Sequence, residues 1–384
     1  MSILTVLKGK RLNQPPNEVL EGIQSLLNSL SDPVDWGDHQ SRELIRSQLR
    51  SILGSDRDRV LFVFETLAAR LPEFPEGFLD LMGAESLRTL QQSGELIDDD
   101  ALNFIEESLL RSSSTGRWSW ITLLAMIQSP SSLDVFVREI IESQVTDANS
   151  ILKAFAPLMQ RPEYDPDWIF PGLFDGINNS ALAPIVFDLA NFCFRTGLCD
   201  EHPAFEKRAE FLLLLDSLTD RMLEIESDPT SWSNDAVQVS KMISDSVALI
   251  VSLCDTMSQL QFKDAEKVIE KVGKLRHRRI RAESTFSLAK LGNPTGQEKL
   301  LELVAEPVSR LRVIKYAEEL GVSDEIDEKF TTPISLAESE LALWLTQPNQ
   351  MGVPPTRIEF LDQENMFWPG FDDPVECFVF RFEF

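Results

Sequence analysis

The period of its apolar residues constrains this chain more than any other feature. Through most of the 384 residues they recur at helical spacing, and two-residue alternation is nearly absent before the last thirty. Over 237–257, for example, Val239, Met242, Ile243, Val247, Ile250, Leu253 and Cys254 follow the i, i+3, i+4, i+7 rule. They make one apolar face that a neighbouring helix must cover. Similar helices are predicted over 17–30, 38–53, 57–71, 76–93, 98–111, 117–128, 132–143, 147–159, 181–196 and 205–226. Short turn clusters such as Ser31-Asp32-Pro33, Gly54-Ser55-Asp56, Ser129-Pro130-Ser131 and Ser227-Asp228-Pro229 separate them, as in stacked helical hairpins. The body reads as all-α.

Two stretches break the pattern. In 161–176, Pro162, Pro166 and Pro171 hold the backbone away from helix, while Tyr164, Trp168, Ile169, Phe170 and Phe174 supply too much apolar surface for a solvated linker. An ordered loop packed on the helices is expected, either a plug over their faces or a partner site centred on Trp168. From Pro354 the period changes: Arg357, Glu359 and Leu361 alternate with Ile358 and Phe360, then Phe378, Phe380, Phe382 and Phe384 with Val379, Arg381 and Glu383. Two strands joined through Trp368-Pro369-Gly370-Phe371-Asp372-Asp373-Pro374 follow. A lone two-stranded hairpin is marginal in water, so its phenylalanine face must be covered by the last helices or by strands beyond Phe384. The chain is thus divided into a tail (1–16), an N-terminal helical solenoid (17–160), the loop (161–176), a C-terminal helical solenoid (177–347) and a β-forming segment (348–384).

An internal repeat begins at Arg278. Arg281 and Ala282 lead into Phe286, Leu288, Ala289 and Leu291, and Gly292 stops the helix, glycine entering the left-handed region at no steric cost. Thr295 to Glu298 have capping-box spacing and open a second helix carrying Leu300, Leu301 and Val304. The pattern then recurs: Pro307 precedes Arg310, Val313, Tyr316, Ala317 and Leu320, and Gly321 closes the helix 29 residues after Gly292. Arg310 falls where Arg281 did. Ser335 to Glu338 have the same capping-box spacing before Leu341, Leu343 and Trp344. Residues 276–321 resemble HEAT repeats of the short, bilin-lyase-like kind, whose first helix carries an arginine near its start and ends in Leu-Gly. The resemblance implies a HEAT/armadillo-type α-solenoid in which Arg281, Gly292, Arg310 and Gly321 are structural.

Composition narrows the function. A net charge of -26 opposes docking on a phosphate backbone, which depends on lysine and arginine displacing counterions. Nucleic acid is therefore disfavoured, and the acidity serves solubility or a basic partner. The N-terminus has Lys8, Lys10 and Arg11 but no signal-peptide core, and no run is read as approaching membrane-spanning length, so a cytoplasmic protein is expected. Cys193, Cys199, Cys254 and Cys377 lack CxxC pairing; Cys193 and Cys254 lie among apolar helical residues and are expected as buried thiols. Gly292 to Lys299 fails as a phosphate loop, with Gln297 in the lysine position, and His39, His202 and His277 lie in separate regions with no HExxH. Asp32, Asp35 and Asp38, like Asp98, Asp99 and Asp100, suit helix starts better than metal sites.

No catalytic, cofactor or metal site is expected. The candidate partner contacts are Arg276, Arg278 and Arg279 in the basic run from Lys271 to Arg281, with Trp118, Trp168 and Trp368. The same arginines suit contacts between repeats. The leading expectation is a non-enzymatic scaffold or adaptor with a protein partner. The alternatives are a HEAT-like enzyme or carrier for a small molecule or chromophore, as the resemblance allows, and a solenoid supporting a working C-terminal β segment. Oligomeric state is not readable.

Overall fold

The computed structural model describes residues 17–31, 34–143, 147–228, 235–347 and 349–384. The tail 1–16, Asp32, Pro33 and Pro229 lie outside the described residues. The protein is mostly helical with one small antiparallel sheet, and it divides into two compact units, Met1–Cys199 and Asp200–Phe384.

The first unit holds α1 (Asn17–Ser31), α2 (His39–Leu53), α3 (Arg57–Ala68), α4 (Glu76–Ser93), α5 (Leu102–Arg111), α6 (Arg117–Ile127), α7 (Pro130–Glu142), α8 (Ala148–Gln160) and α9 (Ala183–Arg195). Helix α2 packs on α4, α4 on α6 and α6 on α8, while α3, α5 and α7 flank this row. Close approach of α4 and α6 depends on Gly83, where an added Cβ would lie 2.7 Å from the Trp120 ring. Trp120 is fully buried beside the stacked rings of Phe64 and Phe104, 4.5 Å apart. The 161–176 segment is ordered and packed within this unit: Tyr164, Ile169, Phe170 and Phe174 are buried, and short 3-10 turns at Pro166–Trp168 and Gly172–Gly176 touch α7.

The second unit holds α10 (Arg208–Ser227), α11 (Ala236–Gln259), α12 (Glu266–Val272), α13 (Arg278–Lys290), α14 (Pro294–Glu302), α15 (Pro307–Leu320) and α16 (Pro333–Leu345). Strands β1 (Arg357–Met366) and β2 (Val375–Glu383) follow. Helix α11 packs on α13 and α13 on α15, again every second helix. Ala282, Phe286, Leu300, Leu303, Val304 and Val313 form the core here, with Tyr316 stacked on Phe286 at 4.0 Å.

Several helix ends differ from expectation. Pro130 opens α7 instead of lying in a turn, because Ser129 caps the helix and proline suits its first position. Helix α5 starts at Leu102, after a 3-10 turn at Asp99–Ala101, and Asp98 does not cap it but pairs with Arg57 at 3.4 Å. The caps of α14 and α16 are Asn293 and Thr332, each directly before a proline, and not the Thr295 and Ser335 that capping-box spacing suggested. Asp38 does cap α2, accepting from the Ser41 amide at 2.7 Å. Residues Val237–Gln259 of α11 are long and apolar enough to cross a membrane by length and composition, which corrects the reading that no run reaches that length. In the structure its residues from Val247 to Met257 are largely buried, and α11 packs on α10 and α13.

Buried charges tie these helices together. Arg310 is 3% exposed, and its guanidinium donates to the carbonyls of Val304 at 3.0 Å and Ser335 at 2.7 Å and to Glu338 at 2.7 Å. Glu85 on α4 accepts from Arg50 at 3.0 Å and Arg88 at 2.7 Å; burial pushes its carboxyl up, but those donors outweigh it and hold the group below its ordinary range. Glu283 on α13 is the opposite case. Burial raises its carboxyl to about 7, with Asp255 of α11 adding to the rise. The hydroxyl of Tyr316, donating at 2.5 Å, and the charges of Arg312 and Arg279 only partly offset it.

Replacing Arg310 with alanine strands Glu338 and two carbonyls, and it is expected to cost ~3 kcal/mol in urea unfolding, with lysine failing to restore it because it lacks the planar fork. A carboxyl raised in the folded state gives full stability below its unfolded value and loses it as pH rises through the folded one. Glu283 therefore costs the fold stability progressively as pH rises from its ordinary 4.5 to about 7, and the full cost persists above that. Glu283→Gln should match the parent near about pH 4 and exceed it by ~3 kcal/mol near about pH 8. Equal differences at both pH values in chemical denaturation would sink this assignment.

Candidate interaction surface

The basic run divides into members paired with carboxylates and members whose side chains are exposed. Lys271 is bound between Asp216 at 2.6 Å and Asp220 at 2.7 Å on α10, and these partners raise its pKa. Arg281 donates to Glu306 at 3.0 Å, and Arg278 reaches the same carboxylate at 3.7 Å, so both tie the start of α13 to the start of α15. Arg276 is different: its backbone amide is held by Glu226 at 2.9 Å, but its side chain is exposed, as is that of Arg279. Arg281 and Arg310 thus make comparable links, Arg281 to Glu306 just before α15 and Arg310 to Glu338 within α16.

The tryptophans are placed unevenly. Trp118 is half-buried at the start of α6 while Trp120 is in the core. Trp168 is 40% exposed at the edge of the packed loop. Trp368 lies in the β1–β2 turn at 55% exposure. It belongs to a larger feature that sequence reasoning identified only as a face in need of cover.

That feature is the C-terminal end. Strands β1 and β2 pair along their full lengths from Arg357↔Glu383 to Met366↔Val375, with a bulge at Leu361. Alternation and register put Ile358, Phe360, Phe378, Phe380 and Phe382 on one face and Glu359, Asp362, Glu364 and Arg381 on the other. Helix α16 lies against both strands, yet no residue of the hairpin is fully buried. Of the twenty large hydrophobic side chains exposed among the described residues, thirteen fall between Leu343 and Phe384. Exposed apolar patches of this kind mark interaction sites.

No group of three His, Cys, Asp or Glu side chains converges on a metal-sized site among the described residues. Cys193 and Cys254 are buried free thiols, and burial pushes both up and away from thiolate. Tyr164, whose hydroxyl sits 3.4 Å from the Cys193 sulfur, is raised for the same reason. The buried His202 takes the Ala204 amide on Nδ1 at 3.1 Å.

Two residues that no motif flagged also emerge. Gln128 and Gln261 adopt positive φ, 56° and 50°, where α6 and α11 end. Each uses its side-chain amide to reach a carbonyl 29 residues on, Pro157 and Lys290 respectively, both at 3.2 Å. The only sequence signal is their place between an apolar helix and a turn.

Truncating the exposed Arg276 to alanine is expected to leave stability within ~0.5 kcal/mol of the parent. Arg281→Ala should lower it measurably in the same urea titration, since Glu306 then loses its closest cation. A scan against protein-family models, a search of curated proteins and a search of solved structures find no match to this chain.

Proposed function

We propose that this protein is a non-enzymatic scaffold of helical hairpins stacked in the HEAT/armadillo manner, which presents its C-terminal hairpin to a protein partner. Packing of every second helix, α2 on α4 on α6 on α8 and α11 on α13 on α15, supports the stacked reading within each unit. The 29-residue step between Gly292 and Gly321, both at positive φ, supports it further.

The observation that carries the functional reading is the concentration of exposed apolar side chains from Leu343 onward. Large aromatic residues surrounded by polar ones are the usual anchors of protein interfaces. Trp368 and Phe371, at 55% and 60% exposure, stand out because the turn that holds them packs on nothing that would bury them. The exposed Arg276 and Arg279 are secondary, since Lys271, Arg278 and Arg281 of the same run are engaged in holding helices together.

The test compares the intact chain with Trp368→Ser/Phe371→Ser and with Arg276→Ala/Arg279→Ala in chemical cross-linking from native extract. A protein captured in stoichiometric amount by the intact chain and the arginine variant, and lost at least tenfold from the turn variant, supports the reading. Equal capture by all three moves the site elsewhere. A small molecule co-purifying in place of any protein would overturn the scaffold assignment.

A further inference from the structure

We propose that the outer edge of β1 accepts a β-strand from the partner, and that this strand alternates apolar residues with lysine or arginine. The proposal rests on the scaffold reading and specifies its docking mode.

The backbone supplies the first argument. In a two-stranded sheet, half of the N–H and C=O groups on each strand point away from the other strand, and no third strand pairs with β1 or β2 among the described residues. Native proteins blunt such edges with short strands, proline, inward charges or lysine. Here β1 runs for ten residues and β2 for nine, and neither contains proline or lysine. Apart from the bulge at Leu361, nothing interrupts pairing. An edge this long is a template for another strand, the mode in which backbone bonds give affinity and alternate side chains give selectivity.

Charge selects the occupant. Residues 357–384 carry seven carboxylates against two arginines, and both arginines already contact Glu359. Asp362 and Glu364 share one face of β1, both exposed, and neither has a cation partner among the described residues. A second copy would bring the same negative charge to the same edge, on a chain whose net charge is -26. An incoming strand has its own two-residue period. One set of its side chains lies beside Ile358 and Phe360, the other beside Asp362 and Glu364, which calls for apolar and basic residues in turn.

The probe is a ten-residue synthetic peptide of alternating valine and lysine, titrated against the full chain by fluorescence anisotropy. Three comparisons accompany it: a valine–glutamate peptide, the valine–lysine peptide with alternate backbone nitrogens methylated, and the Asp362→Lys/Glu364→Lys chain. Saturable binding of the first peptide, weakened at least tenfold in all three comparisons and by added salt, supports strand addition at β1. Undiminished binding of the methylated peptide overturns it, because that peptide keeps its side chains but cannot pair its backbone. Equal binding of the acidic peptide overturns the charge assignment, and concentration-dependent dimerisation that the lysine variant abolishes would make a second copy the occupant. If the Trp368→Ser/Phe371→Ser chain loses its cross-linked partner while the lysine variant keeps it, the scaffold reading stands and the edge proposal fails.

Discussion

A charge taken out of water between two helices must find its counter-charge there, and the helical body depends on a few residues that satisfy this demand. Arg310 meets it with the carbonyls of Val304 and Ser335 and with Glu338, Glu85 with arginines from its own helix and from α2, and Glu139 with Arg117 at 2.5 Å. Apolar packing supplies most of the driving force but little direction, since leucine and valine faces slide over one another at small cost. The ion pairs add geometric selectivity: each closes only when its two helices sit at one relative height and rotation. Glu283 shows the same constraint met differently: burial pushes its carboxyl up, and a tyrosine hydroxyl, where its counterparts have guanidinium, only partly offsets the rise.

Much of the fold was legible because helical period survives in the chain regardless of what a helix packs against. The predicted spans of α2, α4, α6 and α8 lie within a residue or so of those observed, and the two strands appear where alternation set in. Boundaries failed where a local competitor acted. Proline at the first helical position drew α7, α14 and α16 upstream of their apparent starts, and the acidic run at Asp98 formed a 3-10 turn before α5 because its carboxylates serve Arg57 and Ser129.

The candidate surface was less legible. Runs of arginine look alike whether they face solvent or a carboxylate, so nothing in the order of residues separated Arg276 and Arg279 from Arg278 and Arg281. The phenylalanine alternation announced a sheet face that wants covering, but how far α16 covers it is a matter of spatial placement. Trp118 and Trp120 show the same limit. Two residues apart on a helix, they point to different sides, and only packing shows that Trp120 is the buried one.

Gln128 and Gln261 reach across to main-chain carbonyls and not to side chains. A bond to a carbonyl imposes no requirement on which amino acid occupies the receiving position. Neighbouring helices can therefore stay joined while the receiving segment drifts freely in sequence, and only the donor must be kept. Architecture held in this way leaves a faint written trace, so that two chains of this design could share their joints and scarcely a word of their text.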